Sequence, residues 1–219
     1  MVLSHYFCSM EMKCQQLLEQ VTGLFMQFGV RSLTMDDIAR HLGISKKTLY
    51  LCVADKAELV ELTMTAYMEK DIAMMEHIHA DAANAIDEMF LMAQHVSEHL
   101  TKMHPSILFD LEKYYPKAHK LFMDYKLKTI RGVLTRNMQV GIQQGMYREN
   151  LNADIISGLY VGRMDVIFDE ALFPRAQFNA AQIYTETIRY HIRGIASEKG
   201  IIYLQDKFKA MSAQNQAIF

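Results

Sequence analysis

The apolar residues of this chain recur at helical spacing along most of its length. Ahead of residue 30 they form a single stripe, consisting of Leu17, Leu18, Val21, Leu24, Phe25 and Phe28, which predicts an amphipathic helix. Further helical patterns cover residues 59–79, 82–100, 105–111, 117–144, 152–172 and 180–197, with a weaker one over 200–210. Strand-like alternation is scarce. The pattern therefore predicts an all-α fold.

Residues 33–59 have the pattern of a helix-turn-helix motif. Their sequence is LTMDDIARHLGISKKTLYLCVADKAEL. Thr34 can cap a first helix, and Gly43 can end it with a left-handed residue that only glycine adopts without steric cost. Ser45 can cap a second, short helix with Leu49 pointing inward. The exposed side of that second helix then carries Lys46, Lys47, Thr48 and Tyr50.

A short helix with lysines and a hydroxyl on its outer side can enter the major groove of double-stranded DNA. Lysine donates to guanine O6 and N7, and the threonine methyl can touch thymine. We therefore expect Lys46, Lys47 and Thr48 to read bases. A solvated helix face is the alternative interpretation of the two lysines.

These residues resemble the DNA-binding domain of the TetR family (tetracycline-repressor-like regulators). The matching positions are the joint from Gly29 to Thr34, Ile38-Ala39, Leu42-Gly43-Ile44-Ser45, Thr48-Leu49-Tyr50 and the opening of the next helix from Lys56 to Leu59. The resemblance implies a DNA-binding head over 1–56 and a helical effector-binding and dimerisation domain over 57–219. It also implies phosphate contacts from Thr34, Tyr50 and Lys56, a near-palindromic operator, and a repressor released by a small-molecule effector.

Two features depart from the family pattern. Leu51, Cys52 and Val53 stand where the family usually has an aromatic pair and a phenylalanine. Asp36 and Asp37 suit the positive end of a helix dipole but are unfavourable close to phosphate. Both features shift the expected base reading onto the second helix.

The resemblance also implies roles for residues in the helical domain over 57–219, called the body below. A homodimer interface is expected on the last two long helices, at Gly158, Gly162, Val166, Ile183, Thr187 and Tyr190. Seventeen methionines are many for this length, and methionine suits a site that accepts varied apolar ligands. The effector pocket is accordingly predicted to include Met64, Met68, Met89, Met92, Phe109, Met123 and Tyr125. The alternative is that these residues simply fill the core.

Composition narrows the location and the partners. The net charge of −2 does not favour a nucleic-acid binder, but residues 31–56 hold five basic and three acidic side chains, a local charge of +2. No apolar run approaches the roughly 18 residues of a membrane span. The three cysteines are odd in number and unpatterned, which predicts unpaired thiols in a reducing cytoplasm. No motif calls for a cofactor.

Two other functions stay open at this stage. His95-Val96-Ser97-Glu98-His99 spells H-x-x-E-H, the signature of inverted zinc proteases. A zinc-dependent hydrolase would need a third ligand that the sequence does not identify, so we expect neither a metal nor a catalytic residue. The second alternative is a helical adaptor that has lost DNA binding, which Cys52 and the two aspartates favour and Thr48-Leu49-Tyr50 opposes.

Overall fold

The computed structural model describes residues 2–213, with side chains from Lys13 to Lys207 and at Lys209. The described chain is helical, and its one β pairing is an isolated antiparallel bridge between Tyr147 and Ala196. The helices are α1 (Val2–Phe28), α2 (Met35–His41), α3 (Lys46–Leu49), α4 (Lys56–Asp81), α5 (Ala85–Lys102), α6 (Ile107–Tyr114), α7 (Pro116–Asp124), α8 (Arg131–Gln143), α9 (Ala153–Gly162), α10 (Ala180–Ile195) and α11 (Glu198–Ala213). The all-α prediction is confirmed. Among the residues described, no helix combines the length and the apolar character that a membrane crossing needs.

The chain divides into two compact units. The first runs to Ala73 and includes Lys102–Tyr125, and the second consists of Met74–Thr101 and the chain from Lys126 onward. The first unit is therefore larger than the segment 1–56 that the sequence assigns to DNA binding, because it takes in most of α4 and all of α6 and α7. The functional division at residue 56 remains a prediction.

The core of the first unit is built on the predicted stripe of α1. Leu17, Val21 and Phe25 are buried, and the other three members of the stripe pack against them while partly exposed. Ile38 of α2 and Leu49 of α3 are fully buried in the same cluster. Burial of these apolar side chains is what holds the short helices α2 and α3 in place, since helices of this length are not stable alone.

The core of the second unit surrounds a buried polar network. Asn137 is fully buried; its amide donates to the Ala85 carbonyl over 2.9 Å and to the Glu88 carboxylate over 2.8 Å. The Tyr147 hydroxyl lies 3.0 Å from both the Ala85 carbonyl and Asn137 Oδ1. Buried polar groups are tolerated when they are paired in this way. The network ties α5 to α8 and to the turn after it.

The structure corrects two helix predictions. Residues 117–144 do not form one regular α-helix, because a π-helical segment, Tyr125–Ile130, separates α7 from α8. The helix expected over 152–172 ends at Gly162 and continues as a 3₁₀ segment, Met164–Phe168. Apolar spacing alone cannot distinguish these tighter and wider helices from an α-helix, since all of them keep one apolar face inward. Asn152 caps α9 as its sequence position predicts, accepting from the Ile155 amide.

Candidate DNA-binding site

A reciprocal capping box fixes the start of α2. The Thr34 hydroxyl accepts from the Asp37 amide over 3.1 Å, and the Asp37 carboxylate accepts from the Thr34 amide over 3.0 Å. The hydroxyl also donates to the same carboxylate over 2.6 Å. These hydrogen bonds from Thr34 lower the pKa of Asp37. Thr34 is confirmed as the cap, and Asp37, which counted against DNA binding in the sequence, is the second half of that cap.

The turn between α2 and α3 has the predicted geometry. Gly43 adopts a φ of 65°, in the left-handed region. Ser45 then caps α3 by accepting from the Thr48 amide over 3.0 Å. Leu49 is fully buried, so its neighbours Lys46, Lys47 and Thr48 face solvent. Helix α3, called the recognition helix below, therefore presents the predicted base-reading side chains on its outer side.

Each exposed side chain of this helix has a particular local setting. The Lys46 ammonium donates to the Asp36 carboxylate over 3.0 Å, and this bond raises the pKa of the lysine. The Thr48 hydroxyl lies 2.7 Å from the Ser45 hydroxyl, so the two hydroxyls share a hydrogen bond. Tyr50 is 43% exposed directly after the helix. The sequence reasoning missed this contact, through which Asp36 would compete with any base or phosphate for Lys46.

Lys56 has an intramolecular role at the start of α4. Its ammonium donates to the backbone carbonyls of Leu33 and Arg31, the latter over 3.4 Å, and lies 5.8 Å from the centre of the Tyr115 ring. Burial of the side chain lowers its pKa. The contact of Lys56 with a phosphate remains a prediction, and its ammonium already anchors the loop that precedes Thr34.

Helix α6 holds the same loop from the other direction. The Arg31 amide donates to the buried Asp110 carboxylate over 3.1 Å, and the Ser106 hydroxyl donates to the same oxygen over 3.0 Å. Gly29, with a φ of 80°, approaches this point so closely that a Cβ would lie 2.7 Å from the Ser106 hydroxyl oxygen. No local sequence pattern links residues so far apart in the chain.

A disulfide joins Cys14 of α1 to Cys52, which follows the recognition helix. Their Cα atoms are 5.6 Å apart, within the usual range for this bond. The prediction that these two cysteines are unpaired is therefore wrong. The two lie 38 residues apart in sequence, and only the folding of the head brings them together.

The predicted effector-pocket residues occupy both units. Met68, Met89, Met92 and Tyr125 are buried, whereas Met64 and Met123 are partly buried and Phe109 is 55% exposed. Met89 and Met92 belong to the second unit and the others to the first. The Tyr125 hydroxyl donates to the Asp71 carboxylate, and burial raises the pKa of the tyrosine. The assignment of these residues to an effector pocket stays a prediction.

The predicted dimer residues include strongly exposed positions. Tyr190 is 77% exposed and Val166 is 41% exposed. Gly162 is exposed, and a Cβ placed on it would meet nothing within 4 Å. The remaining predicted residues, Gly158, Ile183 and Thr187, are partly buried.

The H-x-x-E-H motif lies on α5. The rings of His95 and His99 have centroids 4.3 Å apart, and His99 Nδ1 lies 2.8 Å from the His95 carbonyl oxygen. Within the part of the chain that the structure describes, no three His, Cys, Asp or Glu side chains are grouped so that they could hold a metal ion. The zinc-hydrolase alternative therefore gains no third ligand from the fold.

A capped α2, a glycine turn and a capped α3 with outward lysines define a helix-turn-helix DNA-binding protein. Residues 17–63 match the sequence model of a family described as bacterial regulatory proteins, tetR family. The segment 17–63 therefore carries the N-terminal domain of this TetR family of bacterial regulatory proteins. The resemblance that the sequence suggested is thus confirmed.

Relatives along the rest of the chain are also regulators. The chain is 26% identical over 190 residues to the Bacillus subtilis HTH-type transcriptional regulator YvaF, covering 84% of this chain and 96% of that protein. It is 24% identical over 148 residues to the Mycobacterium tuberculosis HTH-type transcriptional repressor KstR2, covering 64% of this chain and 72% of that protein. The ketosteroid transcriptional regulator KstR2 has a solved structure with a TM-score of 0.54 at 20% identity, covering 85% of this chain and 96% of that one.

The fold of both units is shared with solved regulators. A TetR-family regulator from Agrobacterium tumefaciens has a TM-score of 0.70 at 16% identity, covering 86% of this chain and 100% of that one. Such a likeness shows the fold, a helix-turn-helix head followed by a helical C-terminal domain. The family match of residues 17–63 and the regulator relatives, taken with this fold, indicate a DNA-binding transcriptional regulator.

Proposed function

We propose that the protein binds a near-palindromic operator as a homodimer, represses transcription there, and is released by a small-molecule effector. The observation that carries the DNA part is the recognition helix, whose inner residue Leu49 is fully buried while Lys46, Lys47 and Thr48 face outward. The cytoplasm, where bacterial operators lie, is the corresponding location.

Phosphate contacts position such a helix, and base contacts specify the sequence. We assign phosphate contacts to Thr34 and Tyr50, which flank the outward lysines, and base reading to Lys46, Lys47 and Thr48. We also assign a phosphate contact to Lys56. Its ammonium carries three hydrogens, and those not donated to the Leu33 and Arg31 carbonyls would donate to the phosphate. The head as a whole supplies the local positive charge that the overall charge of −2 conceals.

Selection of bound sequences from a random pool of double-stranded DNA tests this proposal. We expect recovered sequences with two half-sites related by approximate two-fold symmetry, spaced by about one helical turn. Lys47→Ala is expected to change the selected bases, whereas Lys120→Ala, an exposed lysine on α7, is the matched control. A pool that shows no enrichment with the wild-type protein would contradict the proposal and favour the adaptor alternative.

The homodimer is supported by an apolar face of α9 and the segment after it. Ile155 and Leu159 are 59% and 64% exposed and lie at helical spacing with Gly162 on α9, and Val166, 41% exposed, lies on the 3₁₀ segment that follows. Exposed apolar side chains grouped on one face are characteristic of protein interfaces. Two identical heads also match a two-fold operator.

Sedimentation equilibrium tests the dimer separately from DNA binding. Leu159→Asp places a charge in the proposed interface and is expected to give a monomer. Leu91→Asp is the matched control, since Leu91 is 40% exposed on α5 outside the proposed face. A wild-type protein that is monomeric at micromolar concentration would contradict the dimer.

The effector is proposed to bind in the helical domain over 57–219. The relatedness to KstR2, described as a ketosteroid transcriptional regulator, supports a response to a small molecule, since the likeness extends over the body. Binding in the body releases DNA only if the effector prefers the conformation that does not bind the operator. Operator affinity is measured against a panel of apolar metabolites; an affinity that none of them changes would leave a constitutive repressor.

A further inference from the structure

The Cys14–Cys52 disulfide lies at a sensitive point of the head. Cys14 is on α1 at the end of the buried stripe, three residues before Leu17 and seven before Val21. Cys52 ends the turn that follows the four-residue recognition helix. The bond thus spans a segment that contains the whole of α2 and α3.

The bond acts on the short turn between Leu49 and Val53, which carries Tyr50. Between the fully buried Leu49 and the buried Val53, Tyr50 and Leu51 are 43% and 60% exposed. Cys52 is partly buried and packs on the edge of the core. Its covalent link to α1 therefore restrains the turn that presents Tyr50.

Both cysteines of the bond are partly exposed. Cys52 packs against the core of the first unit from its edge. A disulfide that is partly exposed is the kind that thiol–disulfide exchange can open. Leu49 and Val53 are buried on either side of the turn, so apolar burial holds both ends of the turn in addition to the bond. The bond is therefore suited to reversible chemistry without unfolding of the domain.

We propose that this disulfide is a redox switch that sets operator affinity, the bonded form being the tighter binder; this rests on the DNA-binding function proposed above. A low-molecular-weight thiolate attacks one sulfur of the pair, so the Cys14–Cys52 bond breaks, a mixed disulfide forms, and the other cysteine leaves as a thiolate. A second thiolate attacks the small-molecule sulfur of the mixed disulfide. It releases the second cysteine and forms a low-molecular-weight disulfide, which carries away the oxidising equivalents. Solvent protonates the cysteines, and a low-molecular-weight disulfide drives the reverse reaction.

The test uses the full-length protein equilibrated with a series of ratios of reduced to oxidised glutathione. Peptide mass spectrometry after alkylation reports whether Cys14 and Cys52 are linked, and amide hydrogen exchange reports the freedom of residues 50–53. Affinity for an operator recovered by selection is measured at the same ratios. We expect reduction to speed exchange in residues 50–53 and to weaken operator binding about tenfold, a usual size for coupling between two sites.

Variants separate the bond from other thiol effects. Cys14→Ser removes the bond without altering the DNA-reading surface, and it is expected to bind the operator like the reduced wild type at every glutathione ratio. Cys8→Ser is the control and is expected to respond like the wild type. Reduced wild-type protein provides the same comparison without a substitution.

The outcomes are distinct. Equal operator affinity in the linked and unlinked forms overturns the proposal, as does failure of Cys14 and Cys52 to link at any glutathione ratio. If neither form binds DNA, the proposed function itself fails. Amide hydrogen exchange then still tests whether the bond restrains the turn. An exchange rate in residues 50–53 that is the same in the linked and unlinked forms would contradict that restraint.

Discussion

The amide of Arg31 donates to the carboxylate of Asp110, 3.1 Å away, although 79 residues separate them in the chain. Arg31 belongs to the loop that leads into the capped helix α2, and Asp110 is buried on α6. The Arg31 guanidinium also stacks on Tyr114 of α6, with its Cζ 4.2 Å from the ring centre. Helix α6 therefore sets the position of the loop that leads to the Thr34 cap of α2.

Asp110→Ala is expected to destabilise the first unit. The change leaves the Arg31 amide and the Ser106 hydroxyl without their shared acceptor, and losing hydrogen bonds to a buried carboxylate costs roughly 2–3 kcal/mol. Urea unfolding followed by circular dichroism measures the loss. Asp110→Asn keeps an acceptor and is expected to lose less, while Glu149→Ala, at an exposed position, is the control. Equal unfolding free energies for Asp110→Ala and the wild type would contradict this role.

Two left-handed glycines are expected to respond differently to the same substitution. Gly43→Ala is expected to lower the free energy of unfolding by roughly 1–2 kcal/mol, because alanine is strained at a positive φ. It adds no clash, since a Cβ there would meet nothing within 4 Å. Gly29→Ala introduces the same backbone strain. In addition, its Cβ would lie 2.7 Å from the Ser106 hydroxyl oxygen and 3.0 Å from His104 Nδ1. We therefore expect Gly29→Ala to lower the melting temperature further. Equal decreases in melting temperature for the two variants would show that Ser106 and His104 move away from the new Cβ without loss of stability.

Features set by neighbouring residues could be predicted from the sequence. Thr34, Gly43 and Ser45 cap and turn the short helices as expected, because caps and turns depend on side chains within three or four residues. The burial of Leu49 also followed from helical spacing alone. These local features carried the DNA-binding prediction.

Features set by distant residues could not be predicted. The contacts of Lys56 with the carbonyls of Leu33 and Arg31 require α4 to meet the loop before α2, and the Cys14–Cys52 bond requires α1 to meet the end of α3. A single sequence holds no signal for such approaches. The π-helical segment between α7 and α8 was missed for another reason, since its apolar spacing is close to that of an α-helix.

Asp36→Asn is expected to tighten operator binding. The change removes a negative charge beside the recognition helix and releases the Lys46 ammonium, which now lies 3.0 Å from the Asp36 carboxylate. The dependence of binding on salt is also expected to steepen, since one more lysine then displaces counterions from DNA. Fluorescence anisotropy at several salt concentrations measures both effects. Glu149→Gln removes a charge elsewhere on the surface; an equal gain from it would show a general charge effect, and no gain from Asp36→Asn would contradict the competition.

Lys56→Ala is expected to weaken binding to all operator sequences alike and also to lower stability. The first effect follows from its predicted phosphate contact, and the second from the loss of its bonds to the Leu33 and Arg31 carbonyls. Operator affinity and melting temperature are measured on the same preparation. Lys47→Ala is the matched comparison, expected to change sequence preference with an unaltered melting temperature. A stable Lys56→Ala protein with wild-type affinity would contradict both roles.

His191 is expected to make the second unit sensitive to acid. The ring is 6% exposed and packs edge-on against Tyr160, with centroids 4.8 Å apart. Burial, with a smaller contribution from the Arg163 charge, lowers the pKa of His191 from 6.5 to about 3. The unfolded chain therefore binds a proton below pH 6.5 that the folded chain does not bind until about pH 3.

Stability should accordingly fall as the pH drops through this window, with His191 contributing up to about 1.4 kcal/mol per pH unit. His191→Phe keeps an aromatic ring but cannot take up the proton, so its unfolding free energy should depend less on pH between 7 and 4. Urea unfolding at intervals across that range measures the slope. His77→Gln replaces an exposed histidine and is the control substitution. If His191→Phe also kept the wild-type slope, the imidazole would have to take up its proton in the folded protein as readily as in the unfolded chain.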